Sequence, residues 1–211
     1  MSKALNVQPR RQPRQIRSDR RVSKILDAAI HVFAELGFEG TTTTAIAARA
    51  DVSVGSLYQY FPNKAAIVHA LSDRFDAAFF IALDGVLSSS GSATLEEMID
   101  AFFETLTGLD RAQPGLFQVL AGSYSSAEFL SLERHFNAAV AQHIAAALPP
   151  YLPALSEEQR MMAARLCVES THAAVHLAAL SPVEHRAELL QEAKVLLLSY
   201  LNTLSLPLLP P

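Results

Sequence analysis

Tryptophan is absent from this chain and cysteine occurs once, at Cys167. No intrachain disulfide can form, which fits a reducing compartment, and Cys167 reads as a small core residue rather than a redox sensor. Glycine is sparse, at 8 of 211 residues, and the chain holds no credible strand, internal repeat or β-hairpin turn. No uninterrupted apolar run reaches the roughly 18 residues of a membrane helix, and the charged N-terminal stretch lacks an apolar signal core. A cytoplasmic protein with no membrane partner is therefore expected. What is plentiful is apolar side chain, 50% of the residues, enough for one substantial core or for a small domain joined to a larger one.

The formal net charge of −4 conceals a division along the chain. Residues 1–74 hold 11 Lys/Arg against 6 Asp/Glu, whereas residues 75–211 hold 6 against 15, so only the first part is suited to meeting a polyanion. Lys3, Arg10, Arg11, Arg14, Arg17, Arg20, Arg21 and Lys24 stand against the single acid Asp19. Residues 1–16, with Pro9 and Pro13, read as a disordered basic arm able to order along phosphates or in a minor groove.

Residues 41–64, TTTTAIAARADVSVGSLYQYFPNK, carry the densest signal. Thr41 to Thr44 offer hydroxyl caps for a helix of about two turns through Ala45–Ala50. Asp51 then stands where the chain must turn, and Asp tolerates the left-handed backbone. Val52 can pack inward, and Ser53 or Ser56 can cap a second short helix whose Ser56, Tyr58, Gln59 and Tyr60 suit hydrogen bonds to bases and phosphates. Spacing alone fits equally any αα-hairpin with a solvated second helix. Ahead of it, Val22, Leu26, Ala29, Phe33 and Leu36 form a helical stripe that stops at Gly37. After it, Pro62 can initiate and Asn63 help cap a long helix over 63–87, with Ile67, Leu71, Phe75, Ala78, Ala82 and Val86 in its stripe.

Context breaks the tie. The run ILDAAIHVFAELGFEGTTTTAIAARADVSVGSLYQYFPNKAAIVHAL, with its LYQYFPNK end, resembles the DNA-binding domain of TetR (tetracycline repressor) family transcriptional regulators. The resemblance covers residues 17–74, and Asp51 departs from it where Gly is common. It implies an all-α fold of about nine helices: a helix-turn-helix domain over 17–64, a linking helix 63–87, a ligand-binding and dimerisation domain over 75–205, and a tail 206–211. It further implies DNA contacts by Arg17, Thr43, Thr44 and residues 53–60. Tyr58, Tyr60 and Lys64 would meet phosphates, while Val54, Gly55, Ser56 and Gln59, after Ser53, would read base edges. Gln59 suits adenine and Val54 a thymine methyl. Leu57 and Phe61 read as core.

Beyond residue 88 the pattern is helical throughout. Ser88 to Ser92 form a loop, and Thr94 opens a helix with Glu97 at capping-box spacing and Leu95, Met98, Ile99, Phe102, Leu106 and Leu109 on one face. Pro114 and Gly115 precede a short helix 116–121, and helices 126–148, 156–180 and 183–204 follow. The last two are apolar on most faces, so both sides need cover, from the helices' own domain and either a second copy of the chain or the thick core of a monomer. The resemblance implies the former, a four-helix homodimer interface through Thr171, Ala174, Val175, Ala178, Leu197, Tyr200, Leu201 and Leu204. Two recognition helices would then meet half-sites of a palindromic operator in double-stranded DNA.

An effector pocket is expected among Phe75, Phe79, Met98, Phe102, Phe103, Phe117, Leu120, Phe136, His143 and Cys167, with an apolar or aromatic small molecule shifting operator affinity. Ordinary core packing explains the same residues one at a time. His172 and His176, with Glu169 a turn earlier, are weak metal candidates; two histidines alone do not complete a site. The reading is a DNA-binding regulator, most often a repressor in this family, with no cofactor and no enzymatic activity. The rival readings are a nonspecific architectural DNA binder, opposed by the acidic second part, and a helical metallohydrolase, opposed by the lack of an acid/base constellation.

Overall fold

A computed structural model describes residues 16–89, 94–112 and 127–205 of the chain. The described residues form eight α-helices and no strand: α1 Ile16–Gly40, α2 Thr43–Arg49, α3 Val54–Tyr60, α4 Lys64–Ser89, α5 Leu95–Ala112, α6 Ala127–Ala147, α7 Glu157–Leu180 and α8 Val183–Ser205. The helix expected over 116–121 lies outside the described residues. The chain divides into two compact units, Met1–Ala77 with Asp110–Phe129 and Ala78–Leu109 with Leu130–Pro211, so the division falls inside α4.

In the first unit the amphipathic face of α1 buries Ile25, Leu26, Ala29, Ile30, Val32 and Phe33. Leu36, expected in that stripe, is instead half-exposed, because the helix breaks one residue later: Gly37 adopts φ 67, ψ 174, a conformation open to glycine and costly for other residues. Thr41, itself buried, donates to the Gly37 carbonyl at 2.7 Å and so closes the frayed end of α1. Ile46, Ala47, Leu57 and Phe61 complete the core from α2, α3 and the residue after it.

The caps select among the hydroxyls offered by the sequence. Thr42 accepts the Ala45 N–H and Ser53 accepts the Ser56 N–H, each at 3.1 Å, so these two open α2 and α3. Between them Asp51 takes φ 50, with Asp51 N–H donating to Ala48 and Val52 N–H to Ala47. That pair of bonds is a Schellman stop, and it satisfies the carbonyls α2 would otherwise leave open. Asn63 caps α4 as expected, accepting the Ala66 N–H at 2.8 Å, whereas Pro62, expected in the first turn, lies outside the helix.

Along α4 the buried positions are Ala65, Ala66, Ile67, Val68, Leu71, Phe75, Phe79 and Leu83. The stripe expected through Ala78, Ala82 and Val86 is thus displaced by one position beyond Phe75, since the bulkier Phe79 and Leu83 at i+4 and i+8 take the interior. In the second unit Thr94 and Glu97 close a reciprocal capping box at the head of α5, and Ser156 and Gln159 do the same for α7. Its core is filled by Met98, Ile99, Phe103, Leu106, Val140, Leu148, Leu152, Val168, Leu197 and Leu201. Ala163, Ala164 and Cys167 present a low inner surface on α7 that lets neighbouring helices approach closely.

Candidate functional site

The two short helices present one face to the core and the other to solvent. On α3, Leu57 and Tyr60 are buried, whereas Ser53, Val54, Gly55, Tyr58 and Gln59 are exposed, as is Thr44 on α2. Thr43 Oγ1 and Tyr58 Oη lie 3.0 Å apart, a hydroxyl bridge from α2 to α3 that fixes the tyrosine across the hairpin. The residues expected to read bases and the expected phosphate contact Tyr58 therefore share one outward surface, presented by helices capped at both turns.

Two expected phosphate ligands are placed differently. The Tyr60 ring is buried and its hydroxyl lies 3.3 Å from the Ser18 hydroxyl, which donates to it, so this residue holds α3 to α1. Lys64 Nζ donates to the carbonyls of Phe38 at 2.6 Å and Glu39 at 3.1 Å and sits 4.5 Å from the centre of the Phe38 ring. Its cation caps the end of α1 and stacks on an aromatic face, which accounts for its charge without DNA. For Arg17, only the backbone falls within the description of α1.

Beside the hairpin, Arg20, Arg21 and Lys24 of α1 line an open cleft of about 570 Å³ together with Asp51, Val52, Ser53 and Ser56. The three cations belong to the basic run apparent in the sequence, yet their approach to the turn was not foreseen. The signal available was their spacing: Arg20, Lys24 and the buried positions of α1 fall on adjacent faces of one helix.

The second unit encloses an apolar cavity of about 40 Å³. Of the expected pocket residues, Met98, Phe102 and Cys167 line it. Phe79, Phe136, Phe103 and His143 instead belong to a ring cluster with Phe80 and Phe102, with edge contacts such as Phe79–Phe136 at 5.1 Å and with His143 5.0 Å from Phe80. Phe75 lies in the other unit, and Phe117 and Leu120 lie outside the described residues. Aliphatic wall residues such as Leu83, Ile99, Ile144 and Val168 were missed because nothing in an aliphatic helical stripe distinguishes a cavity wall from filled core. Burial pushes the Cys167 thiol up to about 11, so at neutral pH it stays protonated and unreactive.

Of the eight residues expected at a subunit interface, four are turned into the second unit. Thr171, Ala178, Leu197 and Leu201 are buried within the second unit, and three of them, Thr171, Leu197 and Leu201, line the cavity. The period of the helix explains the error: with apolar residues on most faces, the pattern does not distinguish the inner face from the outer one. Exposed apolar side chains on α7 are Met162, Leu166, Leu177 and Leu180, and on α8 Val183, Val195 and Leu196. Ala174, Val175, Tyr200 and Leu204 lie between the two extremes.

The three candidate metal ligands on α7 are drawn apart by α6. His172 Nδ1 lies 3.0 Å from Glu133 Oε1, and Glu169 Oε2 accepts from the buried Asn137 amide at 3.3 Å. No group of three metal-binding side chains forms among the described residues. In the first unit, Asp76 on α4 has a carboxyl whose pKa is raised to about 7, chiefly by burial and further by Asp73, against an opposing pull from His69. Among the described residues no helix is long and apolar enough to cross a membrane.

Comparison with known proteins agrees with this architecture. Residues 25–71 match the bacterial regulatory proteins, tetR family, and residues 94–201 match the tetracyclin repressor-like C-terminal domain. Over 57 residues, the chain is 44% identical to the HTH-type transcriptional repressor KstR of Mycolicibacterium smegmatis; the match spans 26% of this chain and 28% of that relative. Among solved structures, a TetR-family transcriptional regulator from Streptomyces coelicolor is 25% identical with a TM-score of 0.64, covering 87% of this chain and 99% of that one. Thermus thermophilus FadR, a TetR-family repressor solved with lauroyl-CoA, shares the fold at 21% identity and a TM-score of 0.62, over 90% of this chain and 97% of its own. Since the C-terminal match alone takes in half of the sequence and the N-terminal match adds the hairpin, the chain belongs to the tetR family of bacterial regulatory proteins.

Proposed function

We propose that this protein is a transcriptional repressor that binds a palindromic operator as a homodimer and is released by a small apolar effector. The observation that carries the reading is the outward face of the hairpin, where Val54, Gly55, Tyr58 and Gln59 stand exposed on a helix whose other face is locked by Leu57 and Tyr60. A face of that size spans only a few base pairs, so two copies are needed to select a site. Repression is supported by the name of the KstR relative. Selection of duplexes from a random pool, followed by affinity measurement, tests the reading: enrichment of an inverted repeat supports it, and an unenriched pool overturns it.

Dimerisation through α7 and α8 is supported by the exposed Met162, Leu166, Leu177, Leu180, Val195 and Leu196, a large apolar surface for water to cover. On α7 these residues recur near helical period, so they occupy one outward stripe. Replacing Leu166 and Leu177 together with Glu should give a folded monomer by sedimentation, with operator affinity reduced at least about a hundredfold because each half-site must then be bound alone.

An apolar effector is supported by the composition of the cavity wall, and an acyl chain is the favoured chemistry because the Thermus thermophilus FadR relative is a lauroyl-CoA complex. The cavity at about 40 Å³ is far below the roughly 300 Å³ of a ligand pocket, so an effector must spread the helices that enclose it. That displacement is the physical source of coupling, since a ligand shifts an equilibrium only by binding one state better than the other. Thermal shift with fatty acyl and acyl-CoA chains of increasing length, followed by operator release, tests this. Stabilisation without release would overturn the coupling.

A further inference from the structure

The turn between α2 and α3 places a carboxylate at the edge of the surface proposed for DNA. Asp51 is almost wholly exposed, at 94%, and its Oδ2 lies 3.1 Å from Lys24 Nζ. Both groups line the open cleft with Arg20, Arg21, Ser53 and Ser56. A duplex brings phosphates to such a surface, where a carboxylate acts twice: it repels the anion and it neutralises one of the three cations.

The backbone does not require that charge. The left-handed conformation at φ 50 is open to Gly and Asn, and the stop of α2 uses the Asp51 N–H, not its side chain. Folding stability does not require it either, because an ion pair exposed to this extent contributes little in water. The pair would matter far more for a polyanion. Each phosphate neutralised by a lysine contributes roughly 0.9 to the slope of log affinity against log salt.

We propose that Asp51 is a brake on DNA affinity that acts by holding Lys24 out of phosphate contact. With the brake in place, less of the binding energy comes from sequence-independent charge and relatively more must come from the base-reading face of α3. The inference rests on the DNA-binding reading above. It assigns Lys24 as a latent phosphate ligand and Asp51 as the residue that controls it.

The test compares the parent, Asp51→Asn, Lys24→Ala and the double variant on the selected operator and on a random duplex, between about 50 and 200 mM salt. Asp51→Asn should tighten binding to both duplexes about tenfold at the lowest salt and steepen the salt slope by about two, one for the Lys24 of each copy in the dimer. The double variant should lose most of that gain and the added slope. Two results overturn the proposal: Asp51→Asn matches the parent in affinity and slope, or its whole gain persists without Lys24, which would leave simple repulsion as the cause. A parent that binds no duplex overturns the DNA-binding reading itself, and is distinguished from failure of the brake, in which the parent binds normally. Asp51→Gly repeats the neutralisation in a second backbone-compatible residue, and thermal melting verifies that each variant is folded.

Discussion

Each unit owes its internal order to a different balance of contacts. In the first, directional contacts fix short elements at defined places: Thr42 and Ser53 cap, Asp51 turns, Tyr60 ties α3 to α1, and Lys64 closes the end of α1. In the second, directional contacts stand at the heads of α5 and α7 and between α6 and α7, while the interior rests on shape, with alanine, aliphatic and aromatic side chains meeting along long helices around an apolar cavity. A directional contact specifies one geometry and fails when its atom is removed. A shape contact tolerates repacking, and a domain of that kind can reopen around a guest.

The largest test of the contrast removes volume from the first unit. Leu57→Ala empties a fully buried position on a helix of seven residues, and should cost about 3–4 kcal/mol and abolish operator binding. Chemical denaturation and a binding isotherm read both effects. The matching change in the second unit is Val168→Ile, which adds one methylene to the cavity wall. It should alter stability by no more than about 1 kcal/mol while raising the effector concentration needed for release. If Leu57→Ala proved mild or Val168→Ile severe, the contrast between a tightly fixed first unit and a second whose interior repacks would be wrong.

Lys64→Ala probes a directional contact that sequence reasoning took for a DNA contact. Loss of two carbonyl acceptors and the Phe38 ring should destabilise the first unit by about 1–2 kcal/mol, seen as a lower unfolding midpoint in the absence of DNA. An unchanged midpoint together with weakened DNA binding would restore the phosphate assignment.

What could be read from the sequence follows the same division. The hairpin, its caps and its turn were legible because Thr, Ser and Asp at fixed offsets have few alternative uses. Helix bounds in the second unit were legible too, since Pro, Gly and capping residues punctuate them. Its faces were not. On α7 and α8 apolar residues surround the axis, so Thr171, Leu197 and Leu201 were assigned to a partner copy although they line the interior. Lys64 and Tyr60 have intramolecular partners that the sequence did not reveal. Their side chains could serve DNA or the fold, and only the position of α1 decides.

Titration separates the first unit further. The Asp76 carboxyl is raised from 3.8 to about 7, so its neutral form is favoured in the folded state and its ionisation opposes folding. The stabilisation is complete below about pH 4, declines as pH rises, and is lost above about 7. Asp76→Asn should therefore gain on the parent between pH 4 and 8, by of order 1 kcal/mol once partial solvent access is allowed for. Melting temperature across that range measures it, and parallel curves would remove the effect.

The smallest expected change addresses the bridge on the outward face. Tyr58→Phe deletes one partner of an exposed hydroxyl pair, and Thr43 can turn to water instead, so stability should fall by no more than about 0.5 kcal/mol. If the proposed DNA-binding reading holds, the same exposed hydroxyl is also available to donate to a phosphate oxygen. An equal loss of affinity for operator and random duplex would mark a backbone contact, whereas a loss confined to the operator would mark a bridge that aims Gln59 and Val54 at bases. The two-unit comparison favours the second outcome: a directional link between α2 and α3 sets the angle of the recognition face, and a change of angle is felt only where bases are read.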